Sequence, residues 1–182
     1  MSVEIEAKVA VHSHEAIAEK LRSLAAVLLA DIEQADVYLD YPDKSLTAAG
    51  KGFRIRKQTA AGVDRVVLTY KGKRQDSIYK VRPEYEVEVS EYESAKEIVL
   101  GLGLEMMLTV EKRRVMWQLN ECEVCLDNVS MLGLFVEVEG PSEAKVNRTL
   151  KMLGLEKLEH IQEGYAKMLH NKLAEEGLSR EV

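Results

Sequence analysis

The amino-acid sequence predicts an α+β fold built from eight antiparallel strands and four helices. Strand-length segments in which apolar and charged residues alternate recur along the chain, as is typical of a sheet with one face on an apolar core. Helical segments with apolar stripes follow several of these strands, which favours an α+β architecture. The predicted strands lie near residues 3–11, 36–40, 52–58, 64–72, 84–89, 108–117, 119–127 and 134–139.

Each predicted helix has a capping residue or an apolar stripe. The first follows Ser13, a good N-cap, and its stripe consists of Ile17, Leu21, Leu24 and Leu28. The second follows Ser90, which begins a capping box. The third follows Ser142 and stops near Gly154. The last spans roughly residues 158–176 and carries leucines on one face.

The composition suits one globular domain over residues 1–182. Hydrophobic residues make up 46% and charged residues 31% of the chain. No apolar run approaches the roughly 20 residues of a membrane span, and the N-terminal MSVEIEAK lacks the pattern of a secretory signal. We therefore expect a cytoplasmic protein with no membrane partner. The net charge of −6 argues against a general nucleic-acid binder.

The two cysteines, Cys122 and Cys125, form a lone C-x-x-C on a predicted strand. Alternation along the strand sends their side chains to opposite faces. A zinc site would need further ligands in addition to this pair. We therefore expect two structural thiols.

Charged side chains cluster on one face of most predicted strands. The first strand shows this most clearly, because Glu4, Glu6 and Lys8 share a face opposite Ile5 and Ala7. Two interpretations are open. The charged faces lie in water on an ordinary sheet, or the sheet curls into a barrel with helices outside, so that the charged faces line its interior. The scarcity of Ser, Thr and Gln at these positions favours the barrel.

A barrel of this kind would have an interior lined by about seven cations and eight carboxylates. Two like charges about 4 Å apart repel by about 4 kcal/mol at an effective dielectric constant of about 20, so such an interior must hold water, ions and a highly charged ligand. Arginine and lysine suit phosphate oxygens, and clustered carboxylates suit Mg²⁺ or Mn²⁺. The sequence therefore predicts a site for a metal-bound triphosphate.

The motifs that carry these charges resemble a known family. EIEAK, at residues 4–8, resembles the Glu-x-Glu-x-Lys signature of the CYTH superfamily, the triphosphate tunnel metalloenzymes. The resemblance continues to about residue 170, through KGFRIR, LTYKGK, KVRPEYEVEV, VEKRR, CLDNVSMLGLFVEVE and EGYAKML. It is greatest to the branch that contains the class IV adenylyl cyclases.

The resemblance implies a closed eight-stranded β-barrel, the triphosphate tunnel, with helices packed on the outside. It implies a Mg²⁺ or Mn²⁺ cofactor and catalytic roles for Glu4, Glu6 and Lys8. The implied metal ligands are Glu4, Glu6, Asp127, Glu137 and Glu139. The implied triphosphate-binding residues are Lys8, Arg54, Arg56, Lys71, Arg82, Lys112 and Arg114, with support from Glu84, Glu86 and Glu88.

Two reactions fit such a tunnel. A cyclase would convert ATP to cyclic AMP and pyrophosphate, and the resemblance favours this reaction. A triphosphatase would hydrolyse an inorganic or organic triphosphate, such as thiamine triphosphate. A non-catalytic triphosphate-binding module is a third alternative. A homodimer is compatible with the resemblance, although no exposed apolar stripe in the sequence demands one. The family often has a serine before the tyrosine of its C-terminal motif, whereas this chain has Gly164 before Tyr165.

Overall fold

The structure is a computed structural model that describes the backbone of residues 2–73 and 80–178 and the side chains of residues 5–73 and 82–178. The strands are β1 (Ser2–Val11), β2 (Val27–Asp40), β3 (Gly52–Ala60), β4 (Val63–Lys71), β5 (Lys80–Val89), β6 (Glu105–Leu119), β7 (Cys122–Val129) and β8 (Gly133–Gly140). The helices are α1 (Glu15–Ser23), α2 (Ser45–Ala48), α3 (Tyr92–Gly101), α4 (Glu143–Leu153) and α5 (Tyr165–Glu175).

The eight strands pair in a closed antiparallel ring in the order β1-β5-β4-β3-β2-β6-β7-β8. The first strand closes the ring, because it pairs with β5 on one side and with β8 on the other. Its partner β8 places Glu137 opposite Lys8 and Glu139 opposite Glu6. Alternation along each strand then directs the charged residues to the inner face of the ring.

Apolar side chains on the outer face form the main core beneath two helices. Leu21 of α1 and Leu150 of α4 are fully buried in one cluster with Val9, Val124 and Val136 of the barrel wall. The helix α4 begins at Ser142, whose side chain accepts a hydrogen bond from the Lys145 N–H at 3.3 Å, and it ends at Gly154 in the left-handed region. These two predicted ends of α4 are confirmed.

The prediction that the helices pack on the outside of the barrel was wrong for α5. Tyr165 and Leu169 of this helix form a buried cluster with Val110, Val129 and Phe135. Those three residues have the inward register of β6, β7 and β8. The inner face is therefore apolar at this end of the barrel, and α5 supplies the apolar cover that it needs. The tunnel is not charged along its whole length.

The prediction that Leu28 lies on the first helix was also wrong. The helix α1 ends at Ser23, and Ala25 adopts a left-handed φ of 54° that turns the chain. Leu28 then pairs with Trp117 as part of β2, a strand of 14 residues that is much longer than predicted. Pairing with β6, which includes Leu28 and resumes after a register shift between Leu28 and Ala30, outweighs the helical spacing of the leucines.

The short helix α2 was not predicted. The carboxylate of Asp40 stabilises this turn. It accepts hydrogen bonds from the backbone N–H groups of Tyr41, Leu46 and Thr47 at 2.8, 2.9 and 2.9 Å. The last helix begins at Tyr165 and not near residue 158. In the part of the chain that the structure describes, no helix has the length and hydropathy needed to cross a membrane.

Candidate active site

The interior of the barrel contains a cavity of about 1060 Å³. Most of the side chains predicted for a triphosphate site line this cavity. They are Glu6, Lys8, Arg54, Arg56, Lys71, Arg82, Glu84, Glu86, Lys112, Arg114, Glu137 and Glu139. The side chain of Glu4 lies outside the described residues. Asp127 and Glu88 are not part of the lining, for different reasons given below.

Asp127 lies at the centre of a buried cluster of charged side chains. The residue is 0% exposed, and its carboxylate accepts two hydrogen bonds from Arg114 at 2.6 Å, one from Lys112 at 3.2 Å and one from the Tyr165 hydroxyl at 2.9 Å. Burial acts to raise the pKa of Asp127, but Arg114 and Lys112 outweigh it and lower this pKa. Asp127 therefore holds two cations in place, and a metal at its oxygens would have to displace these contacts.

Lys8 connects this cluster to the segment that precedes α5. Its ammonium group donates to the backbone carbonyl of Glu163 at 3.0 Å and lies 3.3 Å from a Glu137 oxygen. The same ammonium group lies 3.9 Å from the centroid of the Tyr165 ring, within cation–π distance. Although Gly164 has no hydroxyl, Tyr165 and the carbonyl of Glu163 supply polar and aromatic contacts at this position.

A second cluster of cations is organised by Asp36. This carboxylate is 1% exposed and accepts hydrogen bonds from Arg56 at 2.6 and 2.8 Å and from Arg54 at 3.5 Å. Arg54 also donates to Thr69 at 3.0 Å and to Glu86 at 3.2 Å. Desolvation would raise the pKa of Asp36, but the charges of Arg54 and Arg56 lower it well below its usual range.

Asp36 was not among the predicted site residues. A usable signal was present, because Gln34, Asp36, Tyr38 and Asp40 are alternate polar residues that share one strand face. The predicted strand began only at residue 36, so this alternation was too short to recognise. The full extent of β2 makes the face plain.

The remaining predicted residues lie on β4 and β5. Lys71 lies 2.5 Å from both oxygens of Glu84, and Arg82 donates to the same carboxylate at 2.8 Å. Glu88 instead pairs with Arg65 at the exposed end of these strands, where both side chains are more than half exposed. The structure therefore brings Lys71, Arg82 and Glu84 together and leaves Glu88 apart from them.

The profile of the CYTH domain family matches residues 2–165, nearly the whole chain. This chain belongs to the CYTH domain family. It is 29% identical over 151 residues to a putative adenylate cyclase of Methanocaldococcus jannaschii, and the match covers 83% of each protein.

Solved structures show the same CYTH fold. A protein of Pyrococcus horikoshii superimposes with a TM-score of 0.82 at 28% identity, over 93% of this chain and 99% of the other. A protein of Hippeastrum superimposes with a TM-score of 0.66 at 16% identity, over 100% of this chain and 98% of the other. The Hippeastrum protein is described as a putative adenylyl cyclase with a dominant triphosphatase activity.

The carboxylates of this CYTH domain suit a hard cation in their donor chemistry. Glu6 lies opposite Glu139 across β1 and β8, and Glu139 lies opposite Glu123 across β8 and β7. All three line the cavity and offer only oxygen ligands, as Mg²⁺ and Mn²⁺ prefer. Among the residues whose side chains are described, no three acidic, histidine or cysteine side chains converge on one point. The carboxylate row therefore fits the metal in its donor chemistry.

Burial shifts the pKa of Lys112, which lies within the cavity wall. Desolvation and the neighbouring charge of Arg114 lower its pKa to about 8, although Asp127 and Glu137 act in the opposite direction. Burial acts in the same direction on the guanidinium of Arg114, but Asp127 raises the pKa of Arg114 well above its usual range. Arg114 therefore keeps its charge in the cavity, whereas the charge of Lys112 depends on its surroundings.

The two cysteines are free thiols and both are buried. Cys122 belongs to the outer core cluster, whereas Cys125 has the inward register of β7 opposite Glu137. Burial raises the pKa of Cys125 well above its usual value. Two buried thiols on opposite faces agree with the predicted structural role.

Proposed function

We propose that this CYTH protein is a metal-dependent enzyme that acts on a triphosphate inside the barrel, most like a class IV adenylyl cyclase. One observation carries the proposal: all seven cationic side chains predicted to bind a triphosphate line a single cavity. They are Lys8, Arg54, Arg56, Lys71, Arg82, Lys112 and Arg114. This set of positive groups on the wall of one cavity matches the charge of a triphosphate chain far better than that of a neutral or cationic ligand.

The buried carboxylates fix the direction of these cations before a ligand arrives. Asp127 orients Arg114 and Lys112, and Asp36 orients Arg56 and Arg54. Donors that are already oriented need no reorganisation when charge develops on the phosphates, which is the main source of electrostatic catalysis. Arg82 and Glu84 support Lys71 in the same way.

In the proposed reaction, the 3′-hydroxyl oxygen of ATP forms a bond to the α-phosphorus. The bond from this phosphorus to the bridging oxygen of the β-phosphate breaks, pyrophosphate leaves, and the hydroxyl proton passes to water. Glu6 and Glu139 would hold Mg²⁺ or Mn²⁺, which would neutralise charge on the phosphate oxygens. The arginines hold the chain so that the attacking and leaving oxygens are in line.

A triphosphatase is the second candidate. The same cations can bind three linked phosphates whether or not a nucleoside is attached, and water would then attack the terminal phosphorus. The Hippeastrum protein with this fold is described as having a dominant triphosphatase activity. The two reactions differ in the phosphorus that faces the nucleophile and in the need for a nucleoside subsite.

One assay separates the candidates. The purified protein is incubated with Mg²⁺ or Mn²⁺ and either ATP or inorganic triphosphate, and the products are separated by ion-exchange chromatography. We expect cyclic AMP and pyrophosphate in equal amounts from ATP. Orthophosphate from either substrate, without cyclic AMP, would establish the triphosphatase instead. Binding of triphosphate without any product would identify a non-catalytic binding module.

The role of the metal-facing carboxylates has its own test. Glu6→Gln removes a negative oxygen ligand but keeps the size of the side chain, so metal-dependent turnover should fall by about 100-fold or more. The control is Glu111→Gln, a change on the exposed outer face of β6. Thermal unfolding of both variants checks the fold. Turnover of Glu6→Gln at the rate of the control would contradict the assigned role.

A further inference from the structure

Two adjacent strands, β2 and β3, change from charged to uncharged inner-face residues at the same step, and β6 makes the same change further along, opposite Ala30. On β2 the inner face runs from Asp36 to Gln34 and then to Ile32, on β3 from Arg56 to Gln58, and on β6 from Arg114 to Met116. The strands are neighbours in the order β3-β2-β6. All the uncharged residues line the same cavity as the cations. The cavity therefore has a patch of uncharged side chains, here called the neutral compartment, beside its cationic compartment. Lys112, opposite Gln34, and Arg65, opposite Gln58, border this patch.

Two amide side chains form the polar part of the neutral compartment. Gln34 lies opposite Gln58 across β2 and β3, and its amide nitrogen donates to the Gln58 oxygen at 3.2 Å. Gln34 is only 4% exposed, yet its amide oxygen has no hydrogen-bond partner in the part of the chain that the structure describes. A buried polar atom of this kind is rare in folded proteins and indicates a group that a ligand can complete.

Apolar side chains form the floor of the same compartment. Ile32 is 5% exposed, and Ala30 lies opposite Met116 across β2 and β6. Methionine is a flexible, polarisable side chain that adapts well to the face of an aromatic ring. An apolar floor with a few amide groups at its edge is the usual environment of a nucleobase, whose faces are apolar and whose edge carries donors and acceptors.

The spacing of the two compartments also suits a nucleotide. Two residues along a strand correspond to about 6.7 Å, so the amides lie about that far along the wall from Asp36 and Arg56. A ribose bridges a similar distance between an α-phosphate and a base. Inorganic triphosphate would leave the neutral compartment unfilled.

We propose that Gln34, Gln58 and Met116 form a base-binding subsite that selects a nucleoside triphosphate over inorganic triphosphate. This inference rests on the proposed function of the cationic compartment. It adds the residues that decide which triphosphate binds.

The test compares two ligands that share the phosphate chain. Binding of α,β-methylene-ATP, which cannot release pyrophosphate, and of inorganic triphosphate is measured by calorimetry in EDTA, where no metal-dependent turnover occurs. Gln58→Leu should weaken the binding of α,β-methylene-ATP about tenfold, because hydrogen bonds to the base are lost. The binding of inorganic triphosphate should stay within about twofold of the wild-type value.

Two further variants protect this result from a folding defect. Met116→Ala removes part of the apolar floor and should also weaken only the nucleotide. Thr59→Val, which alters the outward-facing neighbour of Gln58 on β3, is the matched control and should change neither affinity. Melting temperatures are recorded for all variants.

The outcomes distinguish the subsite from the site on which it depends. If Gln58→Leu and Met116→Ala leave the affinity for α,β-methylene-ATP unchanged, or weaken both ligands equally, the base subsite is overturned while the triphosphate site stands. If the wild-type protein binds neither ligand, the proposed function fails and the subsite with it.

Discussion

Two aspartates on opposite faces of β2 each pair with an arginine of a neighbouring strand, and the two pairs have nearly the same geometry. On the inner face, Arg56 donates to Asp36 at 2.6 and 2.8 Å. On the outer face, Arg113 donates to Asp31 at 2.9 and 2.6 Å. The side chains of the inner pair are 14% and 2% exposed, whereas those of the outer pair are 58% and 44% exposed. The pairs differ in their surroundings and not in their contacts.

This comparison shows that contact geometry alone does not tell what an ion pair does. The outer pair is surrounded by water and salt, so breaking it releases two charges that are readily solvated. The inner pair lies against Arg54 and Lys112, and removing one member leaves buried charges without compensation. The inner pair therefore fixes the position of arginines that face the cavity. The outer pair lies on the surface and positions no side chain of the cavity.

The largest expected effect comes from breaking the inner pair. Asp36→Asn should lower the free energy of unfolding by about 3–5 kcal/mol, because Arg54 and Arg56 remain buried without their counter-charge. Asp31→Asn is the matched control on the outer face and should change it by less than about 1 kcal/mol. Urea unfolding measures both. Equal losses in the two variants would show that burial does not separate the pairs.

The next effect concerns ligand binding. Arg54→Ala should weaken the binding of inorganic triphosphate by about 1.5–3 kcal/mol, the value of a hydrogen bond to a charged group. Arg113→Ala, on the outer face, should leave this binding unchanged. Calorimetry in EDTA gives the two dissociation constants. An unchanged constant for Arg54→Ala would argue that the cavity wall does not bind the phosphates.

A smaller effect is expected where a neutral group contacts a buried charge. Tyr165→Phe removes the hydroxyl that donates to Asp127 at 2.9 Å but keeps the ring beneath Lys8. The free energy of unfolding should fall by about 1.5 kcal/mol, since Asp127 retains Arg114 and Lys112. The exposed Tyr85 provides the control variant Tyr85→Phe. A loss of stability no greater than that of the control would mean that the Tyr165 hydroxyl does not stabilise the charged cluster around Asp127.

The smallest effect appears only at acid pH. The pKa of Asp36 is lowered in the folded protein, so between that pKa and the ordinary value of about 3.9 the unfolded chain binds a proton that the folded protein does not. The contribution of Asp36 is complete above about pH 4 and is lost as the pH falls towards its folded value. The stability difference between the wild-type protein and Asp36→Asn should therefore shrink below about pH 4. A constant difference from pH 7 to pH 3 would contradict the lowered pKa.

The sequence located the cavity cations well because alternation along a strand is a local property. Arg54, Arg56, Lys112 and Arg114 were assigned to their faces from spacing alone, and all four line the cavity. The alternation of apolar and charged residues also predicted the eight strands, and the predicted boundaries were least accurate for β2. Local patterns decide which side of a strand a residue faces.

The partners of these cations could not be predicted in the same way. Asp127 was interpreted as a metal ligand, but its oxygens are occupied by residues from β6 and α5 that come together only in the folded barrel. The position of α5 was missed because the apolar inner residues Val110, Val129 and Phe135 are far apart in sequence. Both features depend on contacts between distant segments, which periodicity does not encode.

The contacts of β1 set the order in which the site can be completed during synthesis. Lys8 receives its carbonyl partner from Glu163, 155 residues later, and the N–H of Ile161 donates to the Lys8 carbonyl at 2.8 Å. In a nascent chain, the first strand, which contains Glu6 and Lys8, therefore cannot form these contacts until β8 and the segment before α5 have left the ribosome. Closing a ring between segments so far apart in sequence is slow, so a newly made molecule completes this part of the cavity wall only near the end of folding.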